Sequence, residues 1–177
     1  MNSKEFNYIV LLKTGSQHYY LLWRDGGETP DGFVLLSEMP CFLSGRTLED
    51  LLDKAEKFGL QVVEQEPVTT DMNKIFKALA ALRPQRPSSQ RTCQLLLDGW
   101  NTLEDMARSI GINQNVTNLS TNKILRIAYD KLFYGNNLPS VTPENKSYRP
   151  LFSSDERKVI RAYFRHLWQG YLNKMFS

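Results

Sequence analysis

Two strand-like runs near the N-terminus constrain the fold of this chain more than any other feature of its sequence. The runs at 6–12 and 17–24 are rich in aliphatic and aromatic residues, and Thr14-Gly15-Ser16 separates them. Runs of this length around a short glycine-containing connection are typical of a β-hairpin. The sequence therefore predicts that the chain opens with two paired strands.

Further strand and helix signals follow this hairpin. Glycine-containing turns lead to a third predicted strand over residues 33–36. Thr47 is the predicted N-cap of a helix that ends at Gly59, and residues 60–64 form a fourth predicted strand. The order β-β-β-α-β predicts an N-terminal antiparallel sheet with a covering helix, and thus an α+β fold.

The second half of the chain is predicted to be helical. Ser153 and Glu156 form a capping box for the last helix, and Ser88 or Ser89 can cap an earlier one. The predicted helices cover residues 71–82, a segment from Ser88 or Ser89 to about residue 110, a segment from Ser120 or Thr121 to residue 134, and a last helix from Ser153 to residue 175. The α+β sheet region is thus followed by an α-helical half.

Charge is distributed unevenly along the chain. Residues 1–72 carry a net charge of −6 and residues 73–177 a net charge of +9. The sequence predicts an acidic α+β subdomain over 1–82, a proline-rich basic connector over 83–91 and a basic helical subdomain over 92–177. This asymmetry indicates either contact with charged partners or mutual attraction of the halves in one compact domain.

No arrangement of residues in the sequence indicates catalysis. His18 and His166 lie in different halves without a nucleophile motif, and no Cys or His pair has the spacing of metal ligands. The paired carboxylates at Asp25/Glu28 and Glu104/Asp105 are interpreted as solvated charges. We therefore predict no catalytic residue, no metal and no cofactor, and a protein that is not an enzyme.

An acidic patch is predicted on the side of the Thr47 helix away from its leucines. Its members are Glu49, Asp53 and Glu56, with Glu64 and Glu66 nearby in the sequence. The alternative is ordinary helix solvation, because Asp50–Lys54 and Asp53–Lys57 have the spacing of ion pairs four residues apart.

The basic half offers a nucleic-acid-binding alternative. Arg157, Arg161 and Arg165 recur at four-residue steps beside aromatic residues of the last predicted helix. The stretch TLEDMARSIGINQNVTNLSTNKILRIAYDKL has the outline of a helix-turn-helix. The alternative function is therefore a DNA-binding regulator.

Cysteine content and hydropathy bear on the compartment. Cys41 and Cys93 are too few for a disulfide framework and are typical of a reducing cytosol. The apolar run at 8–12 is too short for a signal peptide, and no run has the length of a membrane span. We expect a cytoplasmic protein with no membrane contact.

Four segments resemble immunity proteins of bacterial polymorphic toxin systems, including those of contact-dependent growth inhibition. The meander YIVLLKTGSQHYYLLWRDGG precedes TLEDLLDKAEKFGLQVV, and the helical half contains LLLDGWNTLEDMARSIG and YDKLFYGNNLPSVTP. The resemblance implies a small cytosolic protein that binds one cognate toxin domain, often a nuclease, and occludes its active site. These families share no catalytic residues, because they act by binding.

Such a role needs exposed anchors whose charge is opposite to that of the target. The acidic helix and the protruding tip of a second predicted hairpin, formed by the strands at 17–24 and 33–36, would suit a basic nuclease cleft, and charge complementarity would accelerate capture. The predicted anchors on the hairpin tip are Trp23, Arg24, Asp25 and Glu28.

Overall fold

The computed structural model describes residues 6–27, 30–36, 41–111, 122–144 and 146–175. The protein has the predicted α+β class, with N-terminal strands followed by helices. The strands are β1 Phe6–Thr14, β2 Gln17–Asp25, β3 Gly32–Phe33, β4 Ser44–Gly45 and β5 Val68–Asp71. The helices are α1 Leu48–Lys57, α2 Met72–Ala81, α3 Gln90–Ser109, α4 Lys123–Gly135 and α5 Ser154–Met175.

The sheet is mixed, which corrects the prediction of a purely antiparallel one. The predicted hairpin of β1 and β2 is confirmed, with Ile9 opposite Leu22. On the other side of β1, β5 runs parallel, with Val10 opposite Val68. A parallel neighbour requires a crossover connection, and the chain from β2 to β5 supplies it through α1.

The predicted fourth strand over 60–64 is wrong. This segment touches β1 only through an isolated bridge between Asn7 and Val62. The strand forms later, in Val68–Asp71, where two threonines and a valine favour extended backbone. The third predicted strand is also shorter than expected, because β3 ends at Phe33 and Leu35 makes only an isolated bridge to Phe42.

Helix α1 begins and ends where the sequence predicts. The Thr47 hydroxyl accepts a hydrogen bond from the Asp50 backbone N–H at 3.1 Å, which satisfies one free donor of the first turn. Gly59, at φ +65°, lies just beyond its end in the left-handed conformation that glycine tolerates best. Leu51 and Ala55 of α1 are buried in one core cluster together with Ile9, Leu22, Val34 and Leu43.

The chain divides into two compact units. The first unit comprises residues 1–73, 104–112 and 169–177, and the second comprises 74–103 and 113–168. The first contains the sheet and α1. The second contains most of the helical residues. The subdomain boundaries predicted from composition stay a prediction.

In the first unit, the segment 104–111 packs on the sheet face opposite α1. The Trp23 indole donates a hydrogen bond to the Asp105 carboxylate at 2.9 Å. The Phe33 backbone N–H donates to the Ser109 hydroxyl at 2.6 Å. Val10, Leu12 and Leu21 are buried on this face. The sheet is therefore covered on both faces and not only by α1.

In the second unit, the core surrounds a fully buried tryptophan. The Trp100 ring lies 5.2 Å from Tyr129, 4.7 Å from Tyr163 and 5.7 Å from Phe164, measured between centroids. Gly99 precedes it because a Cβ there would meet Ile75 Cδ1 at 2.7 Å. Three aromatic residues of α5, Tyr163, Phe164 and Trp168, are buried in this unit.

The start of α5 confirms the predicted capping box. The Glu156 carboxylate accepts from the Ser153 backbone N–H at 2.7 Å, and the Glu156 N–H donates to the Ser153 hydroxyl at 3.2 Å. Glu156 also forms an ion pair with Lys131 of α4 at 2.8 Å. Helix α4 begins with Asn122 as N-cap. Among the residues described, no helix is long and apolar enough to cross a membrane.

Candidate partner-binding site

The outer side of α1 carries three carboxylates that form no ion pair with another described residue. Glu49, Asp53 and Glu56 are exposed, and the helical repeat places them along one stripe. None of them forms an ion pair with another residue of the described ranges, so the predicted Asp53–Lys57 pair is not formed. By contrast, Asp50 pairs with Lys54 at 2.9 Å, and this contact lowers the pKa of Asp50.

One large apolar side chain, Leu52, accompanies these carboxylates and is 40% exposed. Leu52 is three residues from Glu49 and four from Glu56, so it lies between them on the helix surface. The C-cap residue Phe58 is also exposed, but it comes nine residues after Glu49, and the helical repeat places it on the opposite side of the helix. We call the set Glu49, Leu52, Asp53 and Glu56 the α1 face. Apolar anchors within a charged rim are typical of a protein-binding surface.

Sequence reasoning missed Leu52 as a surface anchor, because it counted among the leucines of the predicted buried side. The buried side of α1 is narrower and contains Leu51 and Ala55. Leu52 follows Leu51 and is rotated by about 100° around the helix axis, which takes it off the buried side.

The other two predicted acidic residues are also exposed. Glu64 and Glu66 lie in the segment that joins α1 to β5. The side chain of Val68, at the start of β5, is 57% exposed. All three belong to the same unit as the α1 face.

The residues at the tip of the β2–β3 hairpin form more hydrogen bonds within their unit than the sequence predicts. Trp23 is half-buried and its indole N–H is committed to Asp105. Arg24 is half-buried and donates to the Asn7 side chain at 3.4 Å. Asp25 is exposed and accepts from the Gly27 N–H at 3.1 Å. Glu28 lies outside the described residues.

Asp105 departs from the interpretation of a solvated charge. Its carboxylate also accepts from Arg108 at 3.0 Å. Burial raises the pKa of Asp105, and the hydrogen bonds from Trp23 and Arg108 oppose that rise. The sequence around Asp105 does not predict its burial, because Trp23, which contacts it, lies 82 positions earlier in the chain.

A cavity of about 450 Å³ opens beside the hairpin. Arg24, Asp31, Arg108 and Ser109 contribute its polar lining. The Arg108 guanidinium donates to the Asp31 carbonyl at 2.8 Å, and Asp31 in turn accepts from the Gly26 N–H. These bonds hold the turn, so we interpret the cavity as part of the hairpin's support.

The three arginines predicted as a row on α5 differ in their contacts. Arg161 donates to the carbonyls of Leu79, Ala80 and Leu82 at 3.0 to 3.3 Å and so caps the end of α2. Arg157 donates to the Ser153 carbonyl at 3.3 Å. Arg165 is exposed. The turn of the predicted helix-turn-helix, residues 112–121, lies outside the described residues.

Nucleophiles and metal ligands are not assembled in the described ranges. Cys93 is buried, and desolvation raises the pKa of its thiol to about 11, which disfavours the reactive thiolate. His18 and His166 are both exposed. No group of three or more His, Cys, Asp or Glu side chains in those ranges can hold a metal ion.

Comparison of the chain with protein-family models, with curated proteins and with solved structures gives no match. The class that the fold and the α1 face define is therefore structural: an α+β protein with an acidic surface that forms no ion pair in the part of the chain the structure describes, and that carries the exposed side chain of Leu52.

Proposed function

We propose that this protein is an immunity protein that binds a cognate bacterial toxin domain, a nuclease, and occludes its active site. The observation that carries the proposal is the α1 face. Its three carboxylates are exposed and unpaired within the described ranges, and Leu52 stands exposed beside them. The resemblance of the sequence to immunity proteins supports the same role.

The energetics of such a role suit this surface. Nanomolar affinity requires about −12 kcal/mol, which an interface of about 1,600 Å² with a few anchors can supply. Leu52 would provide apolar contact, because its exposed area is removed from water on docking. The carboxylates would attract a nuclease cleft that is basic in order to bind phosphate, and would accelerate association.

The proposal includes compartment and mode of action. The protein acts in the cytoplasm, where an immunity protein meets its incoming toxin, and it converts no substrate. Trp23 and Arg24 contribute only at the edge of the proposed interface, because their polar groups already form hydrogen bonds inside the protein.

Affinity purification from the native host tests this function. The wild-type chain is expected to retain a protein whose isolated domain arrests bacterial growth, and co-expression of the chain is expected to restore growth. The variant Glu49→Lys/Asp53→Lys/Glu56→Lys is the matched bait and is expected to lose both effects. A growth-arresting domain retained equally by both baits would contradict the role of the α1 face.

The alternative function, a DNA-binding regulator, rests on the concentration of positive charge around α5. Burial lowers the pKa of Arg161, and repulsion from Arg157, Arg83 and Arg165 adds to this effect. Duplex DNA binding whose affinity falls steeply with salt would favour this alternative. Absence of a mobility shift at low salt would exclude it.

A further inference from the structure

A second site lies in the helical unit, at the start of α3. A cavity of about 220 Å³ opens there. Its lining includes the side chains of three arginines and three hydroxyl residues: Arg83, Arg86, Arg149, Ser88, Ser89 and Thr92. None of the described residues that line it is acidic. In the part of the chain that the structure describes, the cavity therefore has three positive charges and no carboxylate in its lining.

The side chain of Ser88 is buried, and its hydroxyl has no hydrogen-bond partner among the described residues. The residue is only 7% exposed, and its backbone N–H donates to the Pro150 carbonyl at 2.9 Å. Its hydroxyl makes no hydrogen bond to another residue of the described ranges. Among the described residues, every side-chain oxygen or nitrogen that is completely shielded from solvent has a hydrogen-bond partner. The Ser88 hydroxyl must therefore reach open space, and the cavity is the space that Ser88 lines.

The first turn of α3 adds backbone donors. Ser89 is its N-cap: the hydroxyl accepts from the Thr92 N–H at 3.2 Å and pairs with the Thr92 hydroxyl at 2.9 Å. The N–H groups of Gln90 and Arg91 have no acceptor among the described residues. A twenty-residue helix presents partial positive charge at this end.

The arginines are available to a ligand. Arg86 and Arg149 are exposed and form no ion pair or hydrogen bond with another described residue. Arg83 makes one long contact, 3.4 Å, to the Ala80 carbonyl. The Ser88–Pro150 bond holds the segment of Arg149 beside the connector that carries Arg86. Like charges held together without counter-ions repel one another, so an anion bound between them lowers the energy.

We propose that this cavity binds a phosphate group. Arginine side chains recognise phosphate oxygens through paired charge-assisted hydrogen bonds, and a serine hydroxyl and helix N–H groups suit the remaining oxygens. The phosphate belongs to a small phosphate ester or to a nucleic-acid backbone, which share this chemistry. The site is independent of the α1 face and does not rest on the immunity role.

Isothermal titration calorimetry of the full chain with inorganic phosphate, in chloride buffer at low ionic strength, tests the site. Arg86→Ala/Arg149→Ala is expected to weaken binding on the order of 100-fold, since each charge-assisted contact is worth about 1.5 kcal/mol or more. Ser88→Ala is expected to weaken it about fivefold. Arg126→Ala removes an exposed arginine of α4 that does not line the cavity, and should leave affinity unchanged.

Absence of phosphate binding by the wild-type chain would overturn the proposal. Equal affinity in wild type and Arg86→Ala/Arg149→Ala would also do so. A parallel titration with short single-stranded DNA separates the sources. DNA binding lost in the double variant assigns the site to a nucleic-acid backbone, whereas phosphate binding without DNA binding assigns it to a small ester.

Discussion

At the scale of single residues, the two cysteines differ in what the fold allows them to do. Cys93 is fully buried, and burial raises the pKa of its thiol to about 11. Cys41 is half-exposed. We expect one thiol per chain to react quickly with a disulfide reagent at pH 8, and the second only in denaturant. Rapid reaction of both thiols in the native protein would contradict the burial of Cys93; Cys41→Ser, which should then show no fast phase, is the control.

The raised pKa of Asp105 predicts that this residue contributes less to the free energy of unfolding as pH rises, the reverse of what an ion-paired carboxylate usually does. Burial raises its folded pKa above the ordinary value of 3.8, so the folded state holds this proton more tightly than the unfolded state. The stability contribution is largest below that value and declines as pH rises through the folded pKa. Asp105→Asn keeps an acceptor for the Trp23 indole and removes this dependence.

Urea denaturation from pH 4 to pH 7 measures the effect. The free energy of unfolding of Asp105→Asn, relative to wild type, is expected to rise with pH in the lower part of this range. A relative stability that falls with pH would mean that the ion pair with Arg108 outweighs desolvation.

Single residues also show where sequence reasoning ends. The Thr47 cap and the Ser153–Glu156 box were predictable, because capping joins residues three positions apart. The bonds of Trp23 to Asp105 and of Ser88 to Pro150 were not, because they join residues 82 and 62 positions apart and no local pattern encodes them.

At the scale of elements, Arg161 holds the end of α2. Its guanidinium donates to the carbonyls of Leu79, Ala80 and Leu82, which lie in the last turn of the helix or just beyond it, where carbonyls lack the donors of a following turn. We expect Arg161→Ala to lower the free energy of unfolding by about 1 to 3 kcal/mol. Arg165→Ala, one turn further and exposed, should change it by less than about 0.5 kcal/mol.

Urea denaturation monitored by circular dichroism compares the two variants. If Arg165→Ala lowered the free energy of unfolding as much as Arg161→Ala does, the capping role of Arg161 would be contradicted.

A second test at this scale concerns Gly45 of β4. A Cβ there would meet the Leu51 backbone nitrogen at 2.6 Å and the Thr47 carbonyl oxygen at 2.8 Å. Backbone atoms of a capped helix start cannot move aside cheaply, so Gly45→Ala is expected to cost about 1 to 3 kcal/mol of stability. Thermal unfolding would measure it, with Ser16→Ala in the exposed hairpin turn as the control; equal melting temperatures would contradict the close approach.

The elements themselves were largely predictable, and their pairing was not. Hairpin, helices and caps follow local periodicity, whereas the place of β5 depends on which segment reaches the free edge of β1. Residues 60–64 are hydrophobic enough for a strand, yet the parallel partner is Val68–Asp71. Parallel pairing is set by the length of the crossover, which periodicity does not encode.

At the scale of the whole molecule, charge separates into an acidic first part and a basic second part, −6 over residues 1–72 and +9 over residues 73–177. The acidic part displays carboxylates free of ion pairs on the α1 face, and the basic part displays arginines free of them at the phosphate cavity. Both proposed sites are thus places where charge is exposed and uncompensated within the described ranges.

The affinity of the purified chain for its growth-arresting toxin domain, measured by calorimetry, tests the central claim most directly. We predict that Glu49→Lys/Asp53→Lys/Glu56→Lys weakens binding on the order of 100-fold or more, since close charge pairs at an interface couple by about 1.5 kcal/mol or more each. Asp130→Lys/Glu144→Lys/Asp155→Lys makes the same change in net charge on exposed residues of the second unit and should leave affinity within about threefold. Equal affinity for wild type and the α1-face variant, or equal loss in both triple variants, would contradict binding through the α1 face.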